Sequence, residues 1–326
     1  MDSSIKTSVD GDDLIAIPLK ILWYARLHPL LNSWRSTLHN TTNLILFSLF
    51  LALAIIGIIN SYKENIYFTA ECLETSLLAI QTIGKILTLY VHKEILLQLV
   101  IQRSTFWKPI AFAKQVQQEC SVIRKRVKKI LRCYYILGFV SPITYDLQPI
   151  LAGTLPLTFY RPPVSFKYLV VMIWYLSFFT TATFIGTDSL FYSLVASLCL
   201  QFKLLKYKLK ENVASSEESD NKFWKKVKEV VDHHVFLLSY CQKLNTAFQS
   251  VFLMQFLLLV ANGAVAMFIF MEPGILSNRI KCFAHFVRTL CDAAFYCVSV
   301  EFLTDSVCSI KYQGKLVQFF FVGKSN

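Results

Sequence analysis

Apolar runs of bilayer length alternate with charged segments along the chain, and this pattern predicts six membrane-spanning helices. About 20 apolar residues, at roughly 1.5 Å of helical rise each, cover the hydrocarbon core. The first span, 44–60, is uninterrupted from Leu44 to Ile59 and is flanked by Thr41, Thr42 and Asn43. The second, 66–91, contains Glu71, Glu74 and Lys85. Such charges are costly against lipid and are expected either to be buried and paired within the bundle or, for Glu71, to border a ligand pocket. The third, 133–155, is interrupted by Pro142 and Pro149, which predict a kink where neighbouring helices satisfy the freed carbonyls. The fourth is 168–200, and the fifth, 248–271, carries no charge until Glu272. The sixth, 279–303, is the most polar, with Arg288 and Asp292 one turn apart and able to pair on one face. The fold class expected is all-α, a polytopic transmembrane helix bundle over 44–303 between an N-terminal segment, 1–43, and a short tail, 304–326.

The segments between spans add detail. Residues 1–13 are polar and acidic, without the basic start and apolar core of a signal peptide. Leu14 to Trp34 is mixed apolar and basic and predicts an amphipathic segment at the membrane surface. The region 92–132 is polar and strongly basic. After the fourth span come Lys203, Lys206, Lys208 and Lys210, then the polar stretch from Glu211 to Asn221, which predicts a solvated loop. Beyond it, Phe223, Val227, Val230, Val231, His234, Leu238 and Cys241 recur at helical spacing opposite Lys225, Lys226 and Lys228. That stripe runs directly into the fifth span, so one helix is expected to pass from cytosol into bilayer.

Composition and charge fix the class. Hydrophobic residues make up 55% of the chain, with 27 Phe and 15 Tyr, too many for the interior of one soluble domain of this length. The net charge of +12 sits in segments between spans, so it points to an anionic lipid surface and not to nucleic acid. The run Arg124 to Lys129 (RKRVKK), immediately before a span, reads as a topological determinant. With the N-terminus inside, cytosolic segments hold 26 Lys and Arg and the opposite links 5, which orients the N-terminus to the cytosol. The sequon Asn40-Thr41-Thr42 then lies on the cytosolic side and is expected to stay unmodified. The nine Cys show no CxxC pair and read as small buried hydrophobes, without disulfide or metal roles. His233 and His234, being adjacent, point about 100° apart on a helix and make a poor metal site. No Gly-rich phosphate loop, nucleophile elbow or HExxH occurs, so neither catalysis nor a cofactor is expected. No repeat or matched pair of broken helices supports a transporter. A G-protein-coupled receptor would have the opposite orientation.

The stretch TDSLFYSLVASLCLQFKLLKYKL, followed after the loop by VVDHHVFLLSYCQKLNTAFQSVFLMQF, resembles the fourth span, second cytosolic loop and fifth span of the insect odorant receptors. His234, Leu244, Asn245, Phe248 and Gln255 stand where that family's diffuse pattern has the same residues. The resemblance covers about Pro18 to Tyr312. It implies seven helices with a cytosolic N-terminus in the plasma membrane, and a tuning subunit that joins an odorant co-receptor in a hetero-tetrameric, ligand-gated cation channel. It also implies that the stripe from Phe223 to Cys241 is an assembly surface, unless it packs within its own subunit. A gustatory-type receptor of the same superfamily is the alternative. The family's ligand site lies among outer halves of the second, third, fourth and sixth helices, here Tyr67, Phe68 and Glu71; Ile143, Tyr145 and Leu147; Tyr168, Trp174, Tyr175 and Phe178; and Phe283, Phe286 and Leu290. A pocket so lined would take a small, mostly apolar volatile molecule. The family pattern continues through EFLTDSVCSIKY to Tyr312, and the Trp and seventh helix that follow it have no counterpart in Gln313 to Asn326. On that basis a non-conducting, truncated isoform is a further alternative.

Overall fold

The computed structural model describes residues 14–29, 31, 33–147, 150, 155, 157–214, 220–271, 283 and 286–307. Among them every regular element is helical: α1 (Ala16–Tyr24), α2 (Trp34–Ser61), α3 (Ile66–Val91), α4 (Lys93–Gln102), α5 (Lys114–Asp146), α6 (Phe166–Ala214) and α7 (Asp220–Met271), followed by a helical stretch, α8, over 286–307. Four helices, Trp34–Ser61, Ile66–Val91, Phe166–Asn212 and Phe223–Met271, are long and apolar enough to cross a membrane. They carry the first, second, fourth and fifth predicted spans. Of the third and sixth predicted spans, residues 133–146 fall on the second half of α5 and 286–303 on α8; Pro149, most of 147–155 and most of 279–285 lie outside the described residues or the helices, and neither helix is among the four.

Burial divides these helices into two kinds. The apolar windows of α3 and α6 are 67% buried, those of α2 and α7 only 28%, so α3 and α6 form the centre and α2 and α7 the flanks. The flanks present continuous apolar surface, with Leu38, Ile45, Leu49 and Ile59 on α2 and Leu253, Phe256, Leu257, Val260 and Met267 on α7 all exposed. An apolar face of that extent is suited to lipid. Polar residues are drawn inward instead. Lys85 and Asp188 are both buried and paired, with Lys85 Nζ 2.7 Å from each carboxylate oxygen. Gln81 Nε2 donates to Gln255 Oε1 at 2.6 Å, tying α3 to α7.

α6 and α7 each continue well past bilayer length, at 49 and 52 residues. α7 is the single helix expected from its stripe. α6 differs from the expectation, because it does not stop at Lys203 but runs through the four lysines to Ala214. Phe202, Leu204 and Leu205 are buried beside those lysines, and Lys203 reaches Glu119 on α5 at 2.7 Å. That ammonium and the Tyr207 hydroxyl, 2.5 Å from the same carboxylate, hold the Glu119 carboxyl below its ordinary range.

The region 92–113 is also more ordered than its polarity suggests. α4 forms because Leu96 and Leu99 share one face and are buried. The link that follows is clamped by Gln201, whose amide accepts from Trp107 N at 2.9 Å and donates to Trp107 O at 3.0 Å. Trp107 in turn stacks on His233 with ring centres 3.8 Å apart, and Tyr240 donates to Leu99 O at 3.0 Å.

α1 packs on α6, with Leu19 and Leu22 buried. Its end is a Schellman closure in which Leu27 N donates to Leu22 O and Arg26 N to Trp23 O. Arg26 takes the left-handed conformation at φ 57°, normally a glycine position. Its carbonyl is held by Ser36 Oγ at 2.8 Å and Asn40 Nδ2 at 3.3 Å, which tie the turn to α2. The sequon residue Asn40 is therefore buried. Gly186 permits the approach of α1, since a Cβ there would lie 2.6 Å from Leu22 Cδ2.

Candidate functional site

One cavity opens between the helices near the end of the bundle where α6 begins. It is lined by Phe47 and Phe50 of α2, Glu74, Thr75, Leu78 and Ala79 of α3, Pro142 and Asp146 of α5, Leu157, and Ile173, Leu176, Ser177, Thr180 and Thr181 of α6, with Arg288 of α8. Two helices independently give its depth. Ile173 to Thr181 lies roughly 10–22 Å along α6 from its first residue, and Glu74 to Ala79 roughly 12–20 Å along α3. The cavity thus occupies the first half to middle of the apolar layer, with the Lys85–Asp188 pair below it at roughly 30 Å on both helices.

The volume of about 80 Å³ corresponds to roughly five to eight water-sized positions, enough for one small organic molecule and little more. The floor and sides are apolar, and three charged groups break them. Asp146 is fixed by α6, for Ser177 Oγ donates to its carboxylate at 2.9 Å and Trp174 Nε1 to its carbonyl at 2.9 Å. Glu74 enters from α3. Arg288 lies with its guanidinium 5.5 Å from the centre of the Phe184 ring. Arg288 and Asp292 make no ion pair within 4.0 Å among the described residues, and Asp292 accepts from the Tyr134 hydroxyl at 3.2 Å. Tyr134 donates at 2.8 Å to Asp188 as well, and Tyr296 also donates to Asp188. A buried polar cluster of Lys85, Asp188, Tyr134, Tyr296 and Asp292 is thereby built directly beneath the cavity.

None of the residues expected to line a ligand site is among the described residues that line this cavity. Glu71 is buried one turn from Glu74 and accepts from Thr158 Oγ1 at 2.9 Å. Tyr67 packs against Ala70, Leu77, Leu258, Val265 and Ile269 between α3 and α7. Phe68 borders a separate open depression with Gly57, Asn60, Tyr160 and Arg161. Trp174 and Tyr175 stand on the outer side of α6, where Tyr175 donates to Asn43 Oδ1 at 2.8 Å. Ile143, Leu147, Tyr168, Phe178, Phe283 and Leu290 are exposed on the single chain. Phe286 is half-buried, with its ring edge 3.1 Å from the position of a Cβ on Gly263. The side chain of Tyr145 lies outside the described residues. Sequence reasoning thus names helices that meet at the cavity but none of the side chains that line it; Phe47 and Phe50 in particular escape it, because a uniformly apolar first span carries no mark of its inward face. Thr180, Thr181 and Ser177 could have been found as polar positions on a helix otherwise rich in aromatic and aliphatic residues.

The stripe on α7 also divides. Phe223 and Val230 are buried, Val227, His234 and Cys241 half-buried, and Val231 and Leu238 exposed. The inward seam is Val230, His233, Leu237, Tyr240, Leu244, Ala247 and Val251, spaced alternately by three and four, and it packs on the protein's own core.

Fold and site together define a polytopic helical membrane protein with a small, mixed-polarity cavity enclosed among its spanning helices. Residues 63–312 match the family described as 7tm Odorant receptor, and the chain belongs to that family. It is not of an enzyme family. The fold is similar to that of the insect olfactory receptor OR5 from Machilis hrabei, with a TM-score of 0.73 at 13% identity over 84% of this chain and 73% of that one. It is likewise similar to the same receptor in complex with eugenol, with a TM-score of 0.69 at 14% identity over 87% of this chain and 78% of that one. No curated protein sequence matches the chain.

Proposed function

We propose that this odorant receptor binds a small volatile molecule in the cavity between α2, α3, α5, α6 and α8, and acts as the tuning subunit of a cation channel formed with a co-receptor. The observation that carries this reading is the cavity itself, enclosed among spanning helices in a chain of the odorant receptor family. The eugenol complex of the structural relative supports a small volatile as occupant. The orientation we propose has the N-terminus in the cytosol of a plasma-membrane protein, with the cavity in the outer half. It follows from the concentration of Lys and Arg around α4, the start of α5, the end of α6 and the start of α7. In that orientation the exposed residues Trp224, Val231, Val235 and Leu238 form an apolar face on the cytosolic part of α7, available to a neighbouring subunit.

The test is whole-cell recording from cells expressing this chain with the co-receptor. Volatile-evoked inward current, absent from cells expressing the co-receptor alone for at least one volatile, is the expected result. Responses identical to those of the co-receptor alone across a broad volatile panel would contradict the tuning role.

A further inference from the structure

Leu157, on the cavity wall, belongs to a strap of irregular backbone, 157–161, whose other end lines the open depression beside Phe68. That depression has a volume of about 450 Å³ and is bounded by Gly57 and Asn60 of α2, Glu64 and Phe68 around the start of α3, and Phe159 and Arg161 of the strap. Three elements place the same barrier between depression and cavity. Along α2 the depression ends at Gly57 and the cavity begins at Phe50, along α3 the corresponding residues are Phe68 and Glu74, and along the strap they are Phe159 and Leu157. At about 1.5 Å of rise per residue, both helices give a barrier roughly 9–11 Å thick. The strap fills it. Phe159 is 2% exposed and sets its ring 5.0 Å from that of Phe50. Tyr160 N donates to Leu53 O at 3.2 Å and Thr158 Oγ1 to Glu71 Oε2 at 2.9 Å, and both acceptors fall within the barrier's interval on their helices. Gly57 lets the strap lie directly on α2, since a Cβ there would stand 3.1 Å from Tyr160 N.

Resting on the reading of this cavity as the ligand site, we propose that the depression is the vestibule through which a small water-borne molecule reaches it, and that the strap is the gate, with Phe159 as its plug and the Thr158–Glu71 hydrogen bond as its latch. A helix in the barrier's place could open only by breaking a ladder of backbone hydrogen bonds. The strap is held more lightly. Among the described residues, one backbone and one side-chain hydrogen bond fasten it to the helices, and a segment so held opens at a fraction of the free energy of global unfolding. Opening such a lid admits the ligand, and closing it shuts out water. The rim suits a molecule arriving from water, because Asn60, Glu64 and Arg161 are all exposed there. The vestibule, at about 450 Å³, is also wider than the cavity of about 80 Å³ behind it, so it receives whatever the cavity can hold. Entry through the lipid-facing sides would bypass the strap altogether, so the two routes respond to different substitutions.

The experiment follows entry without a ligand, so its failure is distinct from failure of the cavity as a binding site. Thr181→Cys places a thiol on the buried cavity wall, and the full chain carrying it is reconstituted in lipid nanodiscs. Two thiol reagents of similar size are compared: sulfonatoethyl methanethiosulfonate, whose charge keeps it in water, and uncharged ethyl methanethiosulfonate, which also enters through lipid. Peptide mass spectrometry gives the labelling rate at each cysteine, and Cys199, buried on the same helix, reports unfolding. The charged reagent is expected to reach position 181. Thr158→Val, which removes a hydrogen bond to a carboxylate, and Phe159→Ala are each expected to speed that labelling at least about tenfold. Asn60→Trp, which narrows the vestibule, is expected to slow it at least about fivefold, with Cys199 within about twofold of its original rate throughout. Should one strap variant fail to fold, the other and Asn60→Trp decide the matter. Labelling by the charged reagent that ignores the strap variants and Asn60→Trp, or labelling of position 181 by the uncharged reagent alone, overturns the vestibule and its gate while the cavity stands. Acceleration at Cys199 equal to that at position 181 overturns the gate too, because the strap then only holds the fold together.

Discussion

Lys85→Ala is expected to cost about 3–5 kcal/mol and to leave most of the protein unfolded or retained inside the cell. Lys85 is completely buried and donates at 2.7 Å to both oxygens of Asp188, with its ammonium 4.1 Å from the centre of the Phe184 ring. Asp188 is buried too and accepts the Tyr134 and Tyr296 hydroxyls. With the lysine gone, a carboxylate remains in a dry site with two neutral donors and no cation. Removing both partners is a smaller injury, because apolar replacements of similar volume carry no uncompensated charge. In Lys85→Met with Asp188→Leu, Tyr134 still reaches Asp292 at 3.2 Å, and Tyr296 loses its recorded acceptor, a loss of about 1–3 kcal/mol. Thermal unfolding of the solubilised protein is therefore expected to rank the unaltered chain first, the double variant second and Lys85→Ala last. A double variant less stable than Lys85→Ala would show that the pair is not what holds this part of the bundle.

The second large effect concerns the cavity. Leu78→Trp adds bulk from a half-buried position on its wall, and Ala79→Phe does so from a buried one. With about 80 Å³ to fill, either side chain occupies most of the space a ligand would use. Loss of ligand response by at least about 100-fold is expected, equivalent to about 2.7 kcal/mol or more. The accompanying strain of overpacking, about 1–3 kcal/mol, is expected to be milder for Leu78→Trp, whose site opens into the cavity. Surface expression separates the two effects. Normal expression with an unshifted dose–response curve for both variants would exclude the cavity as the ligand site.

The sequence made the helices legible and their faces less so. Spans at 44–60, 66–91, 168–200 and 248–271 stand out because apolar runs of that length have few other uses. The continuation of α7 beyond its predicted span was readable from its stripe of Phe223, Val230 and their neighbours. The continuation of α6 was not, since Lys203 to Lys210 look like an end until Glu119 supplies a partner from α5. The same limit applied at the site. In a soluble helix polarity marks the outer face, whereas in a spanning helix lipid takes the apolar side and the bundle takes whichever residues have partners. Exposed Tyr168 and Phe178 and buried Thr180 and Thr181 follow from that inversion. The charges Glu71 and Lys85 were correctly expected to turn inward, because their cost in lipid is the same wherever they occur. Their partners, Thr158 and Asp188, lie 87 and 103 residues away and carry no local signal.

The central claim, that the ligand sits among Phe47, Glu74, Leu78, Asp146, Ile173 and Thr181, is tested most directly by mapping where a photoreactive ligand attaches. A short phenyl alcohol bearing a diazirine, bound to the full chain in membranes, irradiated and followed by peptide mass spectrometry, is expected to label α3 between residues 74 and 79 and α6 between 173 and 181. Excess unlabelled alcohol should suppress that labelling. Suppressible attachment confined to the exposed outer face, at Tyr168, Phe178 or Phe283, or to the depression beside Phe68, would contradict the assignment.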